Sequence, residues 1–195
     1  MPIEIAYCMH RGDTPSQQDA LLVDNTVYQS AGLLPCEASL TIDDTMVAID
    51  DGVASSPQAH LASKLVLKTL AAALVQRPED CVEDMLSARH IRWTQARLST
   101  VLAGKRGTKG ASSTVVALHL KNGHAVVLNV GDSRAYLRCA MGSVRQLSHD
   151  HTELQRLRDT GEADTNTSLS RNSRPVPKLS THPTPIQSPP ATHAR

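Results

Sequence analysis

The sequence predicts an α+β fold, with helices stacked on a largely antiparallel sheet. Three observations carry this expectation. Short apolar runs bounded by turn residues fill the segment up to Asp51. Two stretches with helical spacing follow. Short apolar runs then return from Thr114 onward, joined by tight turns. Strands, then paired helices, then strands again is the order expected when helices gather on one side of an antiparallel sheet.

The first segment, up to about Asp44, mixes short extended stretches with turns. Ala20 to Val23 reads as a strand, Asp24-Asn25 as a turn and Thr26 to Tyr28 as its hairpin partner. Thr45 to Ile49 reads as a buried strand that ends abruptly on Asp50-Asp51-Gly52 and so presents carboxylates. From Gln58 to Val75, Leu61, Leu65, Leu67, Leu70 and Leu74 recur at helical spacing, with Lys64 and Lys68 on the wet side. Arg77-Pro78-Glu79-Asp80 then resembles a fresh helix start, with Pro in the first turn and acids beside the N-terminus. Val82, Met85, Leu86, Trp93, Ala96 and Leu98 extend that second helix to about Leu102. Strands are expected over 114–120, 124–130, 135–138 and 144–147, the first two joined at Asn122-Gly123.

With 195 residues the chain has room for one ordinary domain. Only 2% of residues are aromatic, none of them Phe. The core is therefore aliphatic, and base stacking has little to work with. The formal net charge of +1 gives no whole-molecule steering toward nucleic acid or a membrane surface. Cys8, Cys36, Cys81 and Cys139 form no Cys-x-x-Cys pair. No signal peptide or apolar run of membrane-spanning length is visible. These features predict a soluble, cytoplasmic protein with reduced thiols and without nucleic-acid or membrane partners.

After Asp164 the texture changes. Asn166 to Arg195 holds no acidic and no aromatic residue and is rich in Ser, Thr and Pro. Such a segment buries too little apolar surface to offset chain entropy. The expected organisation is a folded domain over 1–164 and a disordered tail over 165–195.

The stretch Asn129-Val130-Gly131-Asp132-Ser133-Arg134-Ala135-Tyr136-Leu137 holds a carboxylate in a turn between two apolar strands. Asp19, Asp51 and Asp132 all stand at ends of expected strands. Carboxylates so placed suit Mg²⁺ or Mn²⁺, which prefer oxygen ligands. Each alone reads as an ordinary turn acid; the combination carries the weight. His149 and His151 have no third ligand in view and read as structural. Lys105-Arg106 with Lys109 reads as a solvated loop cluster. Gly131-Asp132-Ser133 is also compatible with an esterase nucleophile turn, Ser133 attacking with His149 or His151 as base, but it lacks the Gly-x-Ser-x-Gly setting.

Several motifs fall in one order: Gln18-Asp19-Ala20, Val47-Ala48-Ile49-Asp50-Asp51-Gly52, Ser112-Ser113-Thr114-Val115-Val116-Ala117-Leu118, the Gly-Asp-Ser-Arg stretch, and Gln146-Leu147-Ser148-His149-Asp150-His151. In that order and spacing, over roughly Ile3 to Gly161, the chain resembles the bacterial PP2C, or PPM-type, metal-dependent serine/threonine protein phosphatases. The resemblance implies a four-layer αββα sandwich, incomplete here at the C-terminus. It implies two or more Mg²⁺ or Mn²⁺ ions that activate a water for attack on a phosphoserine or phosphothreonine. Its partners would be a phosphorylated protein and the serine/threonine kinase that acts on it. Residue by residue, it implies Asp51 as the bridging metal carboxylate and Gly52 as a carbonyl ligand. Asp19 matches the first-motif acid, which holds a metal directly or through water. Asp132 matches an acid that reaches a further ion, and Thr114 a hydroxyl residue beside the site; Asp51, Asp19 and Thr114 would make up the catalytic set.

Some positions depart from the family pattern. The family's phosphate-binding Arg lies five residues before the first Asp, where this chain has Thr14; Arg11 is the nearby substitute. Val53-Ala54-Ser55-Ser56 replaces the glycines that usually follow Asp-Gly. Two further metal aspartates, expected in a Ser-Asp-Gly turn and in an Asn-Asp or Asp-Asn pair, do not follow His151. These departures predict a truncated or frame-shifted product. They also leave room for a non-catalytic relative that binds phosphoproteins without hydrolysing them.

Overall fold

The computed structural model describes residues 2–41, 44–76, 85–164 and 184–186. A six-stranded antiparallel sheet organises them. Its strands are β2 (Asp19–Val23), β3 (Thr26–Tyr28), β5 (Asp44–Asp51), β6 (Val115–Lys121), β7 (His124–Val130) and β10 (Thr184–Ile186), in the order β10-β7-β6-β5-β2-β3. β1 (Pro2–His10) and β4 (Gly32–Thr41) form a separate antiparallel ladder, and β8 (Tyr136–Arg138) pairs with β9 (Val144–Gln146).

Strand alternation sends the side chains of β2 to two different cores. Ala20 and Leu22 pack with Met46, Ala48, Val115, Ala117 and Leu128 against α1 (Ala59–Gln76) and α2 (Ala88–Ala103), where Leu67, Leu70 and Ile91 complete the cluster. Leu21 and Val23 point the other way, to Met9, Ile5, Tyr7, Leu33 and Leu40 of the β1–β4 ladder. The described residues thus form helical, six-stranded and two-stranded layers. The β1–β4 ladder covers only part of the big sheet. An open cleft of about 610 Å³ remains, lined by Val47, Ile49, Val116 and Leu118 opposite Ile5 and Tyr7, and Ile49 stays 52% exposed.

Most expected elements stand where the spacing puts them, with three corrections. β1 and β4 are long strands in a segment expected to be short stretches and turns. Their ladder slips between Tyr7 and Met9, where the partner jumps from Cys36 to Leu33 and passes over Leu34-Pro35; a bulge is where a sheet tolerates proline. The start expected at Arg77-Pro78-Glu79-Asp80 lies outside the described residues, and the helix that holds Trp93, Ala96 and Leu98 begins at Ala88, after Leu86. Ser87 caps it, its N–H donating to His90 Nδ1 at 3.2 Å. Leu86 lies before the helix and is buried in the core, with its N–H donating to His119 Nδ1 at 3.1 Å. A short α3 (Glu153–Asp159), not expected from the sequence, is capped by Thr152. The disordered-tail reading falls outside the described residues except at Thr184–Ile186, which pair with β7. No helix among the described residues is long and apolar enough to cross a membrane.

Candidate functional site

Strand register builds the site. β2 and β5 run antiparallel with Asp19 directly opposite Asp51, so both carboxyls share one face at one end of the sheet. Asp51 is then clamped to the next strand. Its carbonyl accepts from Thr114 N–H at 2.9 Å, and its own N–H donates to Thr114 Oγ1 at 3.2 Å. Gly52 continues the edge, its N–H donating to Gln18 O at 3.2 Å. A Cβ on Gly52 would sit 2.5 Å from Ala59 O and 2.7 Å from Gln18 O. Only glycine lets this backbone pass between the start of α1 and the lead-in to β2.

Thr114 also receives the acidic turn. Gly131 sits at φ +112°, and a Cβ there would lie 2.6 Å from Thr114 Cβ. That close approach lays the turn on Thr114, with Thr114 Oγ1 and Ser133 Oγ 2.9 Å apart. Asp132 comes near enough to act electrostatically on Asp51. The turn is held from below by the 147–151 segment. His151 N–H donates to Gly131 O (2.9 Å), Gly131 N–H donates to His151 Nδ1 (3.2 Å), and Arg134 Nε and Nη2 grip the buried Asp150 carboxylate at 2.5–3.0 Å.

The carboxyls burden one another. Partial burial, then the charge of Asp19, a hydrogen bond with Asp19 and the charge of Asp132 push the Asp51 carboxyl up to about 6. Like charges held this close are what a divalent cation relieves. Among the described residues, however, no three His, Cys, Asp or Glu side chains come together as a group that could hold a metal ion.

Asp19, Asp51, Gly52, Thr114 and Asp132 therefore share one neighbourhood. Arg11 does not join them: its Nη1 donates to Pro15 O at 2.8 Å within its own exposed loop, and no described hydrogen bond or ion pair links it to the carboxylates. Ser133 Oγ bonds Thr114 rather than a histidine, and His149 Nε2 pairs with Asp159 at 2.8 Å, which removes the geometry an esterase turn needs. Sequence reasoning passed over the buried Asp50. Strand alternation turns it away from Asp51, into the helical side, where Ser113 Oγ donates to Asp50 Oδ1 and also to Asp51 O (2.8 Å). Desolvation raises its proton affinity well above that of an ordinary carboxyl, and the charges of Asp51 and Asp19 raise it further. Its position two residues beyond Ala48, whose side chain points into the helical core, was the available signal.

Comparisons with known proteins point to one family. The family model described as Protein phosphatase 2C matches residues 34–188. The serine/threonine phosphatase stp of Listeria welshimeri is 27% identical over 125 residues, an alignment covering 60% of this chain and 47% of that protein. The chain thus spans about half the length of this curated relative. Among solved structures, the serine/threonine phosphatase Stp1 of Staphylococcus aureus superposes with a TM-score of 0.66 at 18% identity, over 95% of this chain and 70% of that one. The Mycobacterium tuberculosis phosphatase PstP/Ppp gives 0.62 at 19% identity, over 95% and 72%. The catalytic domain of PstP in complex with two manganese ions gives 0.56 at 21% identity, over 84% and 62%.

Proposed function

Because the chain belongs to the protein phosphatase 2C family, we propose that it is a metal-dependent hydrolase of phosphoserine and phosphothreonine in proteins. The observation that carries this reading is the register pairing of Asp19 with Asp51 at one end of the sheet, beside Thr114 and the Gly131-Asp132-Ser133 turn that is laid on it. The donor set fits a hard cation. Mg²⁺ is commonly held by one or two carboxylates, with water completing its shell. Asp19 and Asp51 would hold it, with the Gly52 carbonyl beside them and Asp132 reaching a further ion. When bound, Mg²⁺ or Mn²⁺ there would supply charge neutralisation and a water acidic enough to attack phosphorus at neutral pH.

The chain's own residues supply the frame. Thr114 fixes the backbone of Asp51 from both sides. The Arg134–Asp150 clasp holds the turn that carries Asp132. A second reading, binding of phosphoproteins without hydrolysis, is favoured by the missing third side-chain ligand among the described residues. Release of phosphate from a phosphothreonine peptide with millimolar Mn²⁺, lost in Asp51→Asn, is the expected result. Calorimetry that detects Mn²⁺ binding and phosphopeptide binding without any phosphate release would overturn the hydrolase reading in favour of the second.

A further inference from the structure

The molecule as a whole is nearly neutral, with 20 Lys and Arg against 19 Asp and Glu. That balance is not local. From Met85 to Gly131 there is no acidic residue, while Arg92, Arg97, Lys105, Arg106 and Lys109 are all exposed along α2 and the loop that leaves it. None of these five makes an ion pair among the described residues. A helix dipole favours cations in the last turn and just beyond it, which accounts for Lys105 and Arg106. It does not account for Arg92, Arg97 or Lys109.

The same loop borders a groove of about 840 Å³. Val66, Leu98, Leu102 and Val130 give it an apolar floor, and Lys105 and Lys109 stand on its rim. The loop is a fixed wall. The buried Thr108 Oγ1 donates to Leu102 O (2.6 Å) and Lys105 O (2.8 Å), and Gly107 and Gly110 take the positive φ values the bend demands. Arg92 precedes Gln95 by three residues and Ser99 by seven, so it stands on the side of α2 that borders the groove, while Arg97, two residues beyond Gln95, lies on the far side. At its other end the groove reaches Ser113, whose Oγ donates to the carbonyl of Asp51. Groove and carboxylate site therefore share a wall.

We infer that this groove docks an acidic segment of a protein, interrupted by apolar residues, and holds it beside the carboxylate site. Resting on the phosphatase reading, that segment belongs to the phosphoprotein substrate. Charge selects the occupant. The carboxylate site repels acidic chains, and Arg11 is spent in its own loop. Among the described residues the loop 105–109 gathers three exposed cations without an ion pair on the rim of an apolar groove, while Lys68, Arg138 and Arg145 stand apart from it. The chain's own residues 165–195 contain no acid and are not complementary to it. Nucleic acid is the weaker fit, since α2 and its loop offer Trp93 as their sole aromatic for stacking.

Fluorescence anisotropy on the full chain tests this with a labelled, non-phosphorylated peptide alternating Glu and Leu. The peptide should bind at 50 mM salt and weaken about tenfold or more both at 300 mM salt and in Lys105→Glu/Arg106→Glu/Lys109→Glu, whose fold is checked by circular dichroism. Equal affinity of the triple variant, equal binding of a Gln-Leu peptide, or tighter binding of a single-stranded oligonucleotide would overturn the inference. Peptide binding is read without turnover, so a chain that binds the acidic peptide yet releases no phosphate sinks only the hydrolase reading. Where turnover is present, the triple variant should raise KM for an acid-flanked phosphopeptide and leave p-nitrophenyl phosphate unchanged.

Discussion

Asp19 and Asp51 are register partners across β2 and β5, the last opposed pair before Gly52 leaves the sheet. The pairing is set by the apolar run of each strand. A slip of one residue would send Asp51 into the helical core and Asp50 to the cleft. Burial of Leu22 and Ala48 on the helical side therefore decides where the acidic pair stands. The strain of two like charges is held in place by hydrophobic packing several residues away.

That strain gives the metal-free protein a pH dependence. An unfolded Asp titrates near 3.9, and Asp51 in the folded chain is pushed up to about 6. The folded state holds its proton more tightly, so the contribution of Asp51 is fully present below the unfolded value and is lost as pH rises through about 6. In chelator, the melting temperature of wild type should fall between pH 4.5 and 7 by more than that of Asp51→Asn. Millimolar Mn²⁺ at pH 7.5 should restore wild type and not the variant. Parallel profiles for the two proteins would show that the carboxyls do not interact.

Gly131 carries a different strain. Its φ of +112° is costly for any side chain, and a Cβ would meet Thr114 Cβ at 2.6 Å. Gly131→Ala should cost about 3 kcal/mol in urea denaturation, combining backbone and overpacking terms. Gly12 has φ +63° with open space around it, so Gly12→Ala should cost only about 1 kcal/mol. Equal losses at the two positions would remove the role of the Gly131–Thr114 approach.

The sequence made much of this legible, for physical reasons. β5 and β6 are apolar runs because they lie under the helices, and the Asn122-Gly123 turn fixes their neighbour β7. Asp19, Asp51 and Asp132 stood out because strand ends expose them. The β1–β4 ladder was hidden by its own bulge at Leu34-Pro35, which breaks the alternation that marks a strand. The start of α2 was misplaced because Leu86 fits a helical stripe, yet its burial is against His119. Asp50 and His119 could not be recognised as buried polar groups, because their partners Ser113 and Asp44 lie 63 and 75 residues away.

Asp50 gives a third test. Its Oδ2 is buried without a hydrogen-bond partner among the described residues, and desolvation holds its proton affinity well above the ordinary range. A raised folded value stabilises at low pH and is lost as pH rises. Asp50→Asn keeps an oxygen for Ser113 and removes the ionisation, so its stability relative to wild type should improve from pH 5 to pH 8 in urea melts. Ser113→Ala removes a donor to a buried oxygen and should cost about 1–3 kcal/mol. A variant Asp50→Asn that loses ground at pH 8 would mean that the carboxylate is charged and paired in the folded state.

The Arg134–Asp150 clasp decides whether the acidic turn is held by charge or by shape. Arg134 presents two nitrogens to both oxygens of a carboxylate that is only 8% exposed, and Gln146 Nε2 adds a third donor at 3.3 Å. Arg134→Ala strands that buried carboxylate, and the expected loss is about 3 kcal/mol. Arg134→Lys keeps the charge and loses the planar fork, so it should recover part of that loss, not all of it. In a double-mutant cycle, Arg134→Ala with Asp150→Asn should cost less than the sum of the two single changes by about 1 kcal/mol or more, because neither partner is then left charged and alone. Mn²⁺ affinity read by calorimetry should fall with Arg134→Ala and return in part with Arg134→Lys, following the position of Asp132. Additive losses in the cycle, with metal affinity unmoved, would mean that packing against Thr114 alone sets the turn.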